Sequence, residues 1–62
     1  MKPRELEKVI REAGWQHMPG HGKGSHRVYK HPEKPGLVII PWHPRDLSPG
    51  AVAEALKRAG LK

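Results

Sequence analysis

Residues 15–41 read WQHMPGHGKGSHRVYKHPEKPGLVIIP and hold three short apolar segments, Trp15–Met18, His26–Lys30 and Leu37–Pro41. The Gly-rich PGHGKG and the Pro-containing HPEKPG separate them, and both are turn-forming compositions. Segments this short, joined this tightly, pair with their neighbours in chain order, so the stretch predicts a three-stranded antiparallel meander. Leu37, Val38, Ile39 and Ile40 form an unbroken, largely β-branched run, which predicts a well-packed strand. Pro41 has no N–H for a ladder and marks the end of that strand.

An amphipathic segment lies on each side of the meander. In PRELEKVIREA, Pro3 to Ala13, the residues Leu6, Val9, Ile10 and Ala13 fall at i, i+3, i+4 and i+7 on one helical stripe, with charges elsewhere. Pro3 suits the first helical position, Glu5 sits near the positive end, and Gly14 follows where a left-handed cap is wanted. A second helix is predicted from Pro49 to Ala59, with Ser48 as N-cap and Val52, Ala55, Leu56 and Ala59 on its stripe. Lys57 and Arg58 lie in its last turn, Gly60 closes it, and Leu61 is placed to supply the hydrophobic contact of the cap. The order is α-β-β-β-α. A three-stranded antiparallel sheet with both helices on one face buries both stripes and leaves the opposite face to solvent, a two-layer α+β architecture. With no repeat or linker in evidence, residues 1–62 are expected to form one domain.

Composition narrows the function. Hydrophobic residues make up 35% of the 62-residue chain, no apolar run approaches the roughly 18 residues of a membrane helix, and the start of the chain lacks a signal-peptide apolar stretch. A soluble, cytoplasmic protein without a membrane partner is expected. There is no Cys, which excludes disulfides and Cys-based zinc sites. Twelve Lys and Arg against six Asp and Glu give a net charge of +6, the balance expected of a chain that binds a polyanion, with nucleic acid first among them. A cationic surface serving some other partner is the alternative.

The densest polar region is His17 to Arg27, HMPGHGKGSHR. Its glycines do not make a P-loop, because Gly24 stands where Ser or Thr must follow Gly22-Lys23, and a hairpin turn accounts for them. Five His are present. His17 and His21 are four apart, but they fall on a hairpin and no carboxylates accompany them, so no metal site or cofactor is expected. His26 differs from the rest because it opens a strand, where the backbone holds a side chain better than a loop does, with Lys23 and Arg27 nearby. That placement suits a general base, with cations to hold a phosphate; a His that merely fills a strand edge is the alternative. Ser25 has no orienting partner for service as a nucleophile. His43 and Arg45, in PWHPRDLSPG, can line the same surface, whereas Asp46 suits a cap or a local pair. Trp42 and Tyr29 can stack on bases or pack locally, and Trp15 is most simply core.

The chain resembles the HicA toxins of bacterial and archaeal HicAB toxin–antitoxin modules. The likeness lies in KPRELEKVIREAGW (2–15), GKGSHRVYKHP (22–32) and IPWHPRDLSPGAVAEALKRAGL (40–61). It implies a fold similar to the double-stranded RNA-binding domain, metal-independent cleavage of mRNA, and a HicB antitoxin that blocks it. Carried onto this chain, the family's Gly-Ser-His motif makes His26 the catalytic residue. RNA contacts are expected from Lys23, Ser25, Arg27, Lys30, His43 and Arg45, and a monomer is expected when the toxin is free. Two positions depart from the family pattern: Arg27 stands where many relatives have a second His, and Ala51 where Thr is common. Two other readings of the same features are a non-catalytic RNA-binding module and an interaction domain that pairs through its sheet face or edge.

Overall fold

A computed structural model describes residues 1–20 and 24–61. Its elements are α1 (Pro3–Glu12), β1 (Gln16–His17), β2 (His26–Lys30), β3 (Leu37–Pro41) and α2 (Pro49–Arg58). The strands form one antiparallel sheet in the order β1-β2-β3, so the order and the meander are those expected. In β2 and β3 the register sets His26 opposite Pro41, Arg27 opposite Ile40, Tyr29 opposite Val38 and Lys30 opposite Leu37. β1 is shorter than the segment from Trp15 to Met18 suggests. Trp15 belongs to the end of α1, and beyond His17 only the Met18 N–H continues the ladder, donating to the Val28 carbonyl at 2.9 Å.

Both helices close the same way. Gly14 N–H donates to the Arg11 carbonyl at 3.0 Å and Trp15 N–H to the Ile10 carbonyl at 3.1 Å. In α2, Gly60 N–H reaches Lys57 at 3.1 Å and Leu61 N–H reaches Leu56 at 2.9 Å. These are paired Schellman bonds, and they need the left-handed backbone that Gly14 (φ +101°) and Gly60 (φ +77°) supply. The side chain of Leu61 stays exposed, so its N–H carries the cap. At the other ends, Glu5 accepts from the Lys2 N–H at 2.7 Å and the Ser48 hydroxyl accepts from the Ala51 N–H at 3.1 Å.

The core gathers Leu6 and Ile10 of α1, Ala55 of α2 and its C-cap Ala59, and Trp15, Tyr29, Val38, Ile40 and Leu47. Both helices therefore lie on the Val38 and Ile40 face of the sheet. The small side chains of Ala55 and Ala59 let α2 approach closely, and the Trp15 indole N–H donates to the Ala59 carbonyl at 3.2 Å, tying the end of α1 to the end of α2. β3 departs from the expected well-packed strand: Leu37 is 45% and Ile39 51% exposed. An apolar run conceals the two-residue alternation of a strand, and only every second residue meets a helix. The outer face is not all solvent either, since Val28 is buried there among exposed His26, Lys30, Leu37 and Ile39.

His31 holds the β2–β3 connection against the end of α1. Its Nδ1 accepts from the Glu33 N–H at 2.9 Å, which leaves the proton on Nε2 to donate to the Ala13 carbonyl at 3.1 Å. Its ring meets Trp15 edge-on, with centroids 5.3 Å apart. A Cβ on Gly14 would lie 2.6 Å from Nε2 of His31, whereas one on Gly20, also at positive φ, would meet nothing within 4 Å. Gly20→Ala is therefore expected to cost about 1 kcal/mol, the left-handed penalty alone, and Gly14→Ala about 2–4 kcal/mol. Urea denaturation of the two variants checks this; equal losses would show that the His31 contact adds nothing.

Candidate active site

His26 is the first residue of β2, and the backbone on both sides of it is held. Pro41 faces it across the ladder, and the Trp42 N–H donates to the Ser25 carbonyl at 2.6 Å, one rung beyond the strand. The side chain of His26 is exposed on the outer face. Lys30 is exposed on that same face four residues on, about 13 Å away at the rise of an antiparallel strand.

Arg27 alternates to the other face. Its guanidinium pairs with the Glu7 carboxylate of α1 at 3.2 Å and lies over the Trp42 ring, 3.8 Å from the centroid. The structure thus separates Arg27 from His26 rather than bringing them together on one phosphate. Glu7 also accepts from the buried Tyr29 hydroxyl. Burial pushes the Tyr29 phenol pKa well above its ordinary value; the Glu7 hydrogen bond and charge push the same way, and Arg27 opposes them. Tyr29 is therefore core, which closes the option of base stacking there.

The connection from β3 to α2 brings Trp42, His43 and Arg45 to the His26 end of the sheet. Nδ1 of His43 accepts from the Arg45 N–H at 3.2 Å, leaving the proton of the neutral ring on Nε2. The loop is fastened to the start of α1: Lys2 Nζ donates to the Pro44 carbonyl at 2.9 Å, Asp46 pairs with Lys2 at 3.5 Å, and Leu47 N–H donates to the Met1 carbonyl at 2.7 Å. Asp46 thus pairs across the chain with Lys2 rather than making the cap or local pair expected of it. Ser25 is exposed beside His26, and Arg45 is exposed in the loop. Lys23 and His21 lie outside the described residues. His17 packs against Tyr29 with ring centroids 5.4 Å apart. Among the described residues, no three His, Asp or Glu side chains gather in a way that could hold a metal ion.

Sequence reasoning missed Glu7 and His31. The position of Glu7 offered a signal: four residues after Pro3 and three before Ile10, it borders the buried stripe of α1, where a carboxylate needs a partner. His31 offered none, because its partners are backbone groups that only the fold brings near.

The family model for the HicA toxin of bacterial toxin–antitoxin systems matches residues 3–61. Spanning nearly the whole chain, that match places it in the HicA toxin family, as the toxin side of a toxin–antitoxin pair. No curated protein matches the sequence. No helix among the described residues is long and apolar enough to cross a membrane.

Tyr29 is the only tyrosine, so its titration can be followed without interference. Its pKa is raised in the folded state, so the neutral phenol favours folding; that contribution is complete below about pH 10 and is lost as pH rises further. Denaturant midpoints should fall above about pH 10, with phenolate absorbance appearing together with unfolding. Phenolate formation near the ordinary pKa in protein that stays folded would contradict this.

Proposed function

We propose that this chain is a one-domain mRNA interferase acting in the cytoplasm, and that His26 is its catalytic residue. The observation that carries the reading is an exposed His in the family's Gly-Ser-His motif, on a backbone fixed from both sides by the Pro41 pairing and the Ser25–Trp42 hydrogen bond. A general base needs that combination of rigidity and access.

The chemistry uses the substrate's own 2′-hydroxyl. Neutral His26 takes the proton from that hydroxyl while its oxygen attacks the adjacent phosphorus and the bond to the 5′-oxygen breaks. A 2′,3′-cyclic phosphate forms on one fragment. The departing oxygen takes a proton from an acid, for which the choices are His43, a lysine or water. Lys23, Ser25, Lys30 and Arg45 are proposed to hold the RNA backbone, in keeping with the +6 charge of the chain. Arg27, held by Glu7, is proposed to act on RNA through Trp42 rather than at the cleaved phosphate.

The inhibitory partner is proposed to be a HicB-like antitoxin. The exposed apolar pair Leu37 and Ile39 supports a protein contact on the face that also carries His26, where a bound partner would cover the site.

The test is cleavage of mRNA in the presence of a chelator by wild type and by His26→Ala, each shown to be folded and to bind RNA equally. Wild type should cut, and the variant should be slower by about 10²–10⁴-fold. Equal rates would remove His26 from the mechanism, and binding without cleavage by either would make the chain an RNA-binding module.

A further inference from the structure

A groove of about 620 Å³ runs between the first turn of α1 and the loop that follows β3. We infer that it holds one nucleotide of single-stranded RNA adjacent to the cleaved bond, a subsite distinct from His26. The inference rests on the proposed ribonuclease reading and adds where a neighbouring base and phosphate go.

The volume suits a small flat ligand. Its walls are mostly apolar, with Pro3, Trp42 and Pro44 among them. Trp42 is half-buried and held firmly: its N–H bonds to Ser25, and the guanidinium over its ring is itself paired with Glu7. An indole fixed in that way is a stacking platform whose ordering cost has been met by folding. Lys2 and Arg4 also line the groove. Lys2 is shared between the Pro44 carbonyl and Asp46, whereas Arg4 makes no ion pair with any described residue. The carboxylate in the wall, Glu5, accepts from the Lys2 N–H.

An aromatic platform, apolar walls and a guanidinium with no ion pair among the described residues match a planar base joined to a phosphate. The position is compatible with this: the backbone N–H of Trp42 is bonded to Ser25, the residue just before His26, so the groove lies on the helix side of the same sheet end whose outer face carries His26, and RNA filling both passes around that end.

The experiment uses His26→Ala, to prevent cleavage, and a short dye-labelled single-stranded oligoribonucleotide. Dye anisotropy reports all binding. Tryptophan emission reports the groove, because there are two Trp and Trp15 is only 2% exposed. The expected result is saturable quenching with the same midpoint as the anisotropy. Adding Trp42→Leu should abolish the quenching and weaken binding about tenfold. Arg4→Ala, at an exposed position that should not disturb folding, should weaken binding and lower the slope of log affinity against log salt by about one. Binding with unchanged emission, and with unchanged affinity in Arg4→Ala, would overturn the groove and leave the ribonuclease reading standing. No RNA binding, together with no cleavage by wild type, would overturn both.

Discussion

Which side chains of β2 reach solvent depends on the register of β2 against β3. Tyr29 opposite Val38 sends residues 27 and 29 toward the helices and residues 26, 28 and 30 outward. A slip of one residue would reverse every assignment, burying His26 and expelling Tyr29. Two inward contacts oppose that slip: the Tyr29 hydroxyl and the Arg27 guanidinium both end on Glu7 of α1. A slipped strand would leave a half-buried carboxylate without its partners, which costs more than the contacts themselves contribute. The exposure of His26 and the burial of Tyr29 are one constraint seen from two sides of the strand.

The rest of the architecture shows how a small chain without Cys stays ordered. A domain of this size has stability of only about 3–9 kcal/mol, so individual contacts carry large shares of it. Several join elements that are distant in sequence: Trp15 to Ala59, His31 to Ala13, Lys2 to Pro44 and Met1 to Leu47. The last two fasten the loop bearing Trp42 and His43 to α1, so the groove is made of backbone that is tied on both sides. The rigidity of the fold and the proposed subsite therefore draw on the same hydrogen bonds.

What the sequence made legible were the features that depend on local rules. The helical stripes, the caps at Ser48, Gly14 and Gly60, the order of the strands and the core position of Trp15 all follow from spacing and backbone chemistry. The run Leu37–Ile40 shows the limit of such rules, because residues apolar at both parities say nothing about which face is buried. The side taken by Arg27 was implicit in the two-residue alternation of a strand, but its partner was not, since Glu7 lies twenty residues away. His31 and the groove were illegible for a related reason: each is assembled from segments far apart in the chain, and neither leaves a period or a motif in any one of them.

Membership of the HicA family supplies the toxin role, and β2 supplies an exposed imidazole on a fixed backbone, to which the proposal assigns the chemistry. The account's central claim is that the RNA's own 2′-hydroxyl is the nucleophile and His26 the group that activates it. Mass analysis of the termini left on a cleaved oligoribonucleotide tests this most directly. The account predicts a 2′,3′-cyclic phosphate on the upstream fragment and a 5′-hydroxyl on the downstream one. A 3′-hydroxyl and a 5′-phosphate would mean that water attacks from outside, and would contradict it.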